Sequence, residues 1–308
     1  MSPPHSAPAR ADAGFYALLV GATFLMGSSF IAGKILLGHG VPAILLVGWR
    51  FLVASLATLP LLTMARVPLR AQLWPAAMAP RQAWTVALIG LLQTAAVMGL
   101  LFVGMRSIPA AAAAILLFSN PIWVALLGRL FLHESLGPAR VAGLLLGMLG
   151  VALAIGPGAL LTGQHDALFG ELCCLASAVC WAIATTLNKR AALPIGGLAL
   201  NFWQMLIGAL VLLALAYAGG ERWPPGFAAR EWLWFAWLAV PASTGSFGLW
   251  FVALRRGGAT HASGWLFLAP LFAVLLSVAV LHTALSPLQL AGGALIGAGL
   301  WLVNRTRA

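Results

Sequence analysis

Long apolar runs separated by short polar connections dominate the chain and predict membrane-spanning helices. A helix needs about 20 residues to cross about 30 Å of hydrocarbon, and ten runs come close to or exceed that length. Because the runs are continuous and not alternating, they predict an all-α integral membrane protein. The predicted spans are 15–37, 41–64, 84–105, 109–132, 138–160, 168–188, 196–218, 232–254, 258–281 and 286–303.

The same pattern of residues occurs twice along the chain. When residues 106–150 are shifted by 149 positions they lie over 255–299 without a gap, and 16 of the 45 positions are identical. The matches include uncommon residues, such as Pro121 with Pro270. Each half of the chain holds five predicted spans, an odd number, so the second copy must enter the membrane in the opposite orientation. Such an inverted repeat is a common plan of secondary transporters.

Composition and charge agree with this plan. Hydrophobic residues make up 62% of the chain and charged residues 7%, whereas soluble domains carry about 25% charged residues. The net charge of +11 would suggest nucleic acid for a soluble chain, but twelve Lys and Arg fall on the predicted cytoplasmic side and four outside. This positive-inside bias predicts that both termini are cytoplasmic and that no nucleic acid binds. We divide the chain into a cytoplasmic tail (1–14), a first five-helix repeat (15–160) and a second, inverted repeat (161–308).

Polar side chains occur near the estimated middle of four predicted spans, where contact with lipid is unfavourable. Each must face another helix or a wet cavity, because an unpaired polar group in hydrocarbon is costly. Hydrogen bonding between helices is the alternative for any single residue, but four spans that agree in depth favour a shared substrate cavity. Its predicted polar residues are Ser28, Ser29, Gln93, Thr94, Ser119, Asn120, Ser243 and Thr244.

Aromatic and basic side chains at similar depth extend the predicted cavity. Arg50 lies inside the second span, where it either reaches back to the membrane surface or meets a substrate carboxylate. His261, near the end of the ninth span, has the same ambiguity between packing and function. The predicted aromatic residues of the cavity are Phe118, Trp181, Trp250 and Phe267.

Three prolines inside predicted spans are candidate hinges. Proline removes one backbone hydrogen bond and clashes with the preceding turn, so a helix bends or breaks there. Pro121 and Pro270 occupy equivalent places in the two copies, and Pro241 adds a third break beside Ser243 and Thr244.

The chain carries no motif for catalysis. His133 and Glu134 do not begin a zinc-protease motif, because Gly137 stands where the second histidine belongs. We predict no catalytic residue, no metal site and no cofactor. The predicted spans place no Asp or Glu near their centres, which favours flow down a substrate gradient over proton coupling through His261.

Several of these residues together resemble the EamA-type family of the drug/metabolite transporter superfamily. They are Gly27-Ser28-Ser29-Phe30 with Lys34, Arg50-Phe51, and the Ala-rich start, Pro121 and Glu134 of the fourth span. The resemblance covers essentially the whole chain and is strongest to the bacterial amino-acid exporters of the family. It implies an inner-membrane exporter of amino acids and related metabolites with a central cavity between the two halves.

We therefore predict a multi-pass exporter of the bacterial inner membrane that works by alternating access. Its expected substrates are several amino acids, including apolar or aromatic ones, and its expected surroundings are the lipid bilayer. A monomer is expected, with a homodimer as the alternative. Export of other metabolites or lipophilic drugs, or a receptor or scaffold role without transport, are the alternatives in function.

Overall fold

A computed structural model describes residues 13–64, 67–132, 137–155, 165–283 and 285–305, and every regular element in these ranges is a helix. Seven helical segments in these ranges are long and apolar enough to cross a membrane. They are Ala13–Gly38, Ala43–Thr63, Pro80–Gly104, Ala110–Phe131, His165–Ala191, Gly197–Ala218 and Ala229–Leu254.

The other three predicted spans each include residues whose backbone or side chains are not described, and the helices in them are not among these seven. They begin at Pro138, Leu268 and Pro287. The length and composition of these helices therefore indicate a multi-pass membrane protein, and the count of ten spans stays a prediction. The tail before Ala13 and residues 133–136, which include Glu134, lie outside the described residues.

The helices follow one another with short connections. In chain order they are α1 (Ala13–Gly38), α2 (Ala43–Thr63), α3 (Leu69–Leu73), α4 (Pro80–Gly90), α5 (Val97–Gly104), α6 (Ala110–Leu117), α7 (Asn120–Leu132), α8 (Pro138–Ile155), α9 (His165–Ala191), α10 (Gly197–Ala218), α11 (Ala229–Ala239), α12 (Ser246–Ser263), α13 (Leu268–Leu281) and α14 (Pro287–Arg305). Two π-helical turns, Leu91–Ala96 and Val240–Gly245, join α4 to α5 and α11 to α12, and a 3₁₀ turn, Gly264–Phe267, joins α12 to α13.

The helix boundaries recur at the offset found in the sequence. The π-helical turn Val240–Gly245 lies 149 positions after Leu91–Ala96, and α11 lies 149 positions after α4. The same offset takes the first residue of α8, Pro138, onto the first residue of α14, Pro287. The two copies therefore share helix breaks as well as residues, including breaks that no hydrophobic pattern indicates.

Contacts between connections define the two ends of the bundle. At one end, which we call the Lys34 end, the backbone N–H of Leu45 donates to Glu221 Oε2 at 2.8 Å and His39 lies 3.4 Å from Glu231. The other end, the Lys189 end, is where α9 ends and α10 begins. Between the ends, every residue of α6 is buried, so the Ala-rich helix lies in the core of the bundle.

Helices from the two halves pack in reciprocal pairs. In the antiparallel contact of α8 with α14, a Cβ on Gly150 would lie 2.7 Å from the carbonyl oxygen of Gly292, and one on Gly299 would lie 2.5 Å from that of Gly143. The offset of 149 takes Gly143 onto Gly292 and Gly150 onto Gly299, so it exchanges these two contacts. Interchange of this kind is the signature of a two-fold relation between interacting elements. Only glycine permits such a close approach of backbones.

Candidate functional site

A cavity of about 160 Å³ lies within the bundle at the level of the π-helical turns. Helices from both halves of the chain contribute to it, and most of its lining is apolar or aromatic. We call it the central cavity. Its lining residues are Met26, Ser29, Phe30, Arg50, Phe51, Gln93, Met98, Leu101, Phe102, Leu117, Phe118, Trp181, Ala242, Ser246, Phe247, Trp250 and Leu266.

A second cavity, of about 330 Å³, adjoins the first, and we call it the vestibule. The two share Gln93, Trp181, Phe247 and Trp250. The vestibule extends to Asn188, which is exposed near the end of α9. The pair of cavities therefore forms a path from the middle of the bundle towards the Lys189 end.

The opposite end is closed above the central cavity. The Lys34 ammonium donates to the carbonyl oxygens of Met105 at 2.6 Å, Arg106 at 3.3 Å and Ile108 at 2.9 Å, which joins α1 to the connection between α5 and α6. A Cβ on Gly104 would lie 2.5 Å from the carbonyl oxygen of Gly170, so α5 and α9 touch through their backbones. The structure thus shows a state that is open towards the Lys189 end.

Arg50 is the ionisable group of the central cavity. Its side chain is 4% exposed, and its Nε donates to Ser243 Oγ at 2.9 Å. The guanidinium carbon lies 4.7 Å from the ring centre of Phe51 and 5.4 Å from that of Phe102. Among the described residues no carboxylate lies within ion-pair distance of it. The Arg50 guanidinium therefore lies inside the bundle against aromatic rings, without a carboxylate partner among the described residues.

Ser243 is held in place by the helix distortion around it. Its hydroxyl accepts from Arg50 and donates to the carbonyl oxygen of Leu238 at 2.8 Å, five residues earlier. The neighbouring Thr244 hydroxyl donates to the carbonyl oxygen of Ala54 at 2.8 Å, so the second π-helical turn is tied to α2. Both residues are buried, and neither lines the central cavity.

The predicted polar residues fall into two groups in the structure. Ser29 and Gln93 line the central cavity. The others contact neighbouring helices, because Trp237 Nε1 donates to Ser28 Oγ at 3.0 Å and Thr94 packs against Gly208 of α10.

Ser119 and Asn120 occupy the break between α6 and α7. The Ser119 hydroxyl donates to the carbonyl oxygen of Leu116 at 2.6 Å and accepts from Trp123 Nε1 at 3.2 Å. Asn120 Nδ2 donates to the carbonyl oxygen of Ala178 at 3.2 Å. Both side chains are buried and neither lines the central cavity, so in this structure they connect parts of the bundle.

Three of the four predicted aromatic residues lie together. Phe118, Trp181 and Trp250 line the central cavity, and the Phe118 and Trp181 ring centres lie 6.0 Å apart with an edge-to-face arrangement. The side chains of Phe267 and His261 lie outside the described residues.

Several lining residues were not predicted from the sequence. Phe51, Phe102 and Phe247 resemble ordinary core residues when only the sequence is considered. Asn201 and Gln204 line the vestibule, and Gln204 Nε2 donates to Asn201 Oδ1 at 2.7 Å. The internal repeat holds a signal for Gln204: with a small gap, Trp203-Gln204-Met205 of the second copy aligns with Trp49-Arg50-Phe51 of the first, at an offset of 154 positions.

Each of the three candidate hinge prolines lies at a helix discontinuity. Pro121 is the second residue of α7, after the break at Phe118 and Ser119. Pro241 is the second residue of the π-helical turn Val240–Gly245, and Pro270 is the third residue of α13, after the 3₁₀ turn.

A carboxylate is buried in α9 on the side of the closed end. Glu171 is 4% exposed, and its Oε2 has no hydrogen-bond partner. It lies beside Gly170, which contacts Gly104, and not at the cavity. Within the described ranges, no three His, Cys, Asp or Glu side chains lie close enough together to hold a metal ion.

Several bacterial proteins are similar in sequence to nearly the whole chain. The chain is 28% identical over 299 residues to a probable amino-acid metabolite efflux pump of Salmonella typhimurium, covering 94% of this chain and 93% of the relative. It is 26% identical over 285 residues to the uncharacterized transporter YoaV of Bacillus subtilis, covering 92% and 94% of the two chains. The fold is shared with a protein of known crystal structure, whose description names no function. The match has a TM-score of 0.63 and 23% identity, and it covers 94% of this chain and 97% of the other.

The family model of the EamA-like transporters matches the chain twice, at residues 14–156 and 168–305. The two matches cover nearly all the described helices and fall on the two copies of the repeat. This protein belongs to the EamA-like transporter family, as a multi-pass membrane transporter.

Proposed function

We propose that this transporter exports amino acids, including apolar and aromatic ones, from the bacterial cytoplasm. The observation that carries the proposal is Arg50, a buried guanidinium without an acidic partner among the described residues, in a cavity lined by Phe and Trp. A zwitterionic amino acid supplies the carboxylate that this charge lacks, and an apolar side chain fits the aromatic lining. Relatives named as probable amino-acid metabolite efflux pumps support the substrate class.

The proposed mechanism is alternating access between two inverted five-helix halves. The recurrence of helix breaks after 149 positions and the reciprocal contacts of α8 with α14 support this arrangement. In an inverted repeat, each half can adopt the conformation of the other, which closes one end of the bundle and opens the other. The state described here, open towards the Lys189 end and closed at the Lys34 end, corresponds to one of the two.

The distribution of basic residues supports export as the direction of transport. Lys189 and Arg190 belong to the predicted cytoplasmic set of twelve basic residues, so the vestibule opens to the cytoplasm in the proposed orientation. The transporter then receives its substrate from inside the cell and releases it at the Lys34 end. We propose a monomer in the inner membrane with both termini cytoplasmic.

A substrate panel tests the proposal. Purified protein in liposomes should exchange labelled phenylalanine, leucine and methionine, because each combines a carboxylate with an apolar side chain. Counterflow of each label against unlabelled substrate is the measurement, with protein-free liposomes as the control. Movement of sugars, nucleotides or lipophilic cations without movement of amino acids would contradict the proposed substrate class. Binding without any flux would favour a receptor.

A further inference from the structure

The described lining of the two cavities contains one charged side chain, and its charge is positive. Among the described residues of the central cavity and the vestibule, Arg50 alone carries an ionisable side chain. The other polar groups are neutral hydroxyls and amides, including Gln93, Asn201 and Gln204. An amino acid carries both a carboxylate and an ammonium group, but this lining offers an oppositely charged partner only to the carboxylate.

We propose that the carboxylate is the group this transporter recognises, so that it also carries monocarboxylic acids without an amino group and rejects amines. The inference rests on the proposed function, because it assumes that substrate passes through the central cavity. It extends the substrate class from amino acids to aryl and alkyl carboxylates, and it excludes lipophilic cations.

The hydrogen bonds of Arg50 leave the part of the guanidinium that binds carboxylates available. Nε is occupied by Ser243, and the two terminal nitrogens donate to no described residue. The two terminal N–H groups of a guanidinium match the two oxygens of a carboxylate. The rings of Phe51 and Phe102 pack on the same group and hold it in place. Arg50 is therefore positioned for a bidentate bond before any ligand arrives.

The size of the electrostatic effect decides between acids and amines. With an effective dielectric constant of about 20, a unit charge at about 6 Å from the guanidinium changes affinity by roughly 100-fold. The change favours an anion and disfavours a cation. Contact of an ammonium with the faces of Trp181 or Trp250 gains less than that, because such contacts contribute about tenfold or less when the cation is hydrated. The amino group therefore adds little to binding.

The volumes and the lining of the two cavities limit the size and polarity of the rest of the ligand, beyond its carboxylate. The central cavity of about 160 Å³ accommodates the carboxylate and the first carbons, and the adjoining vestibule of about 330 Å³ has room for a larger group. Phe247 and Trp250 line both cavities and present apolar surface to that group. A phenyl ring two or three carbons from the carboxylate suits this geometry.

Three ligands of matched shape test the inference. Phenylalanine contains both charged groups, 3-phenylpropanoate lacks the ammonium, and 2-phenylethylamine lacks the carboxylate. Binding to the purified transporter is measured by calorimetry and flux by competition with labelled phenylalanine in liposomes. We expect the acid to bind within about tenfold of phenylalanine and the amine to bind at least about 100-fold more weakly.

Variants at position 50 identify the group responsible. Arg50→Gln should weaken the acid by about 100-fold and abolish the preference for acid over amine, because it removes the charge. Arg50→Lys keeps the charge without the bidentate geometry, so it should retain the preference at lower affinity; it also keeps the test decisive if the Gln variant does not fold. Arg106→Gln, at an exposed arginine outside the cavities, should leave all three affinities unchanged.

The outcomes separate this inference from the proposed function. Equal binding of the amine and the acid to the wild-type protein would overturn the inference. Transport of phenylalanine without binding of 3-phenylpropanoate would also overturn it, while leaving amino-acid export standing. Transport of 3-phenylpropanoate without transport of amino acids would uphold the inference and refute amino-acid export.

Discussion

At the scale of single residues, hydrogen-bond partners separate helix contacts from ligand contacts. Ser119 and Asn120 both donate to backbone carbonyl groups of the bundle, and Ser119 also accepts from Trp123. Gln93 lines both cavities and makes no hydrogen bond to a described residue, so its amide is available to a ligand. The two kinds of polar residue lie at a similar depth, which is why depth alone did not distinguish them in the sequence.

We expect Trp181→Ala and Gln93→Ala to lower transport efficiency while the folded state is kept. Trp181 forms part of the surface of both cavities, and loss of an aromatic contact of this kind corresponds to about tenfold in kcat/KM. Flux in liposomes and thermal unfolding are the two measurements. Trp84→Ala removes an equally large ring that is 77% exposed, and it serves as the matched control.

A fall in the yield or unfolding temperature of the Trp181 and Gln93 variants as large as their fall in transport would contradict a role in the cavity. It would make both residues packing residues.

The position of Arg50 inside a span was evident from the sequence, but its partner Ser243 was not. The two residues are 193 positions apart, and only packing of α2 against the second π-helical turn brings them together.

At the scale of helices, breaks occur where hydrophobic patterns continue. Proline at the start of a helix has no unfavourable effect, because the first N–H groups of a helix lack partners in any case. Pro121 therefore fits the beginning of α7, and it also prevents α6 and α7 from joining into one helix, since it cannot donate to the carbonyl oxygen of Leu117. The first π-helical turn contains no proline, so proline is not what generates both.

We expect Pro121→Ala and Pro270→Ala to slow turnover more than they weaken binding. Restoring the missing N–H allows the two parts of each span to form a continuous and stiffer helix, which resists the bending that access requires. Turnover in liposomes and affinity by calorimetry are compared for each variant. Pro60→Ala is the control, because Pro60 lies inside α2, exposed and away from the cavities.

Unchanged turnover in both proline variants would show that Pro121 and Pro270 have no part in the conformational change.

The positions of the three candidate hinges were predictable because proline has a fixed backbone angle and no N–H. The π-helical turn Leu91–Ala96 was not predictable, since its residues continue the apolar pattern of α4 and α5 and contain no helix-breaking residue. Its effect is visible only in the structure, where it brings Gln93 to the cavity.

At the scale of the whole molecule, the contacts at the closed end include those of one cation, Lys34, and an approach of two backbones. Lys34 bonds to three carbonyl groups that α5 and its connection leave unpaired, and Gly104 meets Gly170 beside it. Cys174, on the same face of α9, is completely buried behind this contact. In the proposed mechanism, opening of the Lys34 end breaks these contacts, so they contribute to the balance between the two states.

We expect Lys34→Met to shift the balance towards the state that is open at this end. A hydrogen bond from a charged donor contributes about 1.5–3 kcal/mol. Loss of the Lys34 bonds should therefore raise the population of the state that is open at this end by about tenfold or more. The rate of maleimide labelling of Cys174, in a variant that lacks Cys173 and Cys180, is the measurement. Arg106→Met changes an exposed cation at the same end and should not alter the rate.

A labelling rate that Lys34→Met leaves unchanged would show that other contacts keep the end closed. The presence of Lys34 in the first span was plain in the sequence, but its three acceptors, which are backbone atoms, were not. A sequence indicates side chains that donate hydrogen bonds, whereas carbonyl groups become acceptors only when a helix ends beside them.

The two π-helical turns also record the history of the chain. A π-helical turn arises when one additional residue is accommodated within an α-helix, and the two here lie 149 positions apart, the offset of the sequence repeat, with one in each family match. One event in a shorter ancestor explains both, whereas independent insertions would have had to occur twice at the same place. A common origin before the duplication therefore accounts for both turns, and Leu92 and Pro241, which occupy equivalent positions in them, differ because the two copies diverged afterwards.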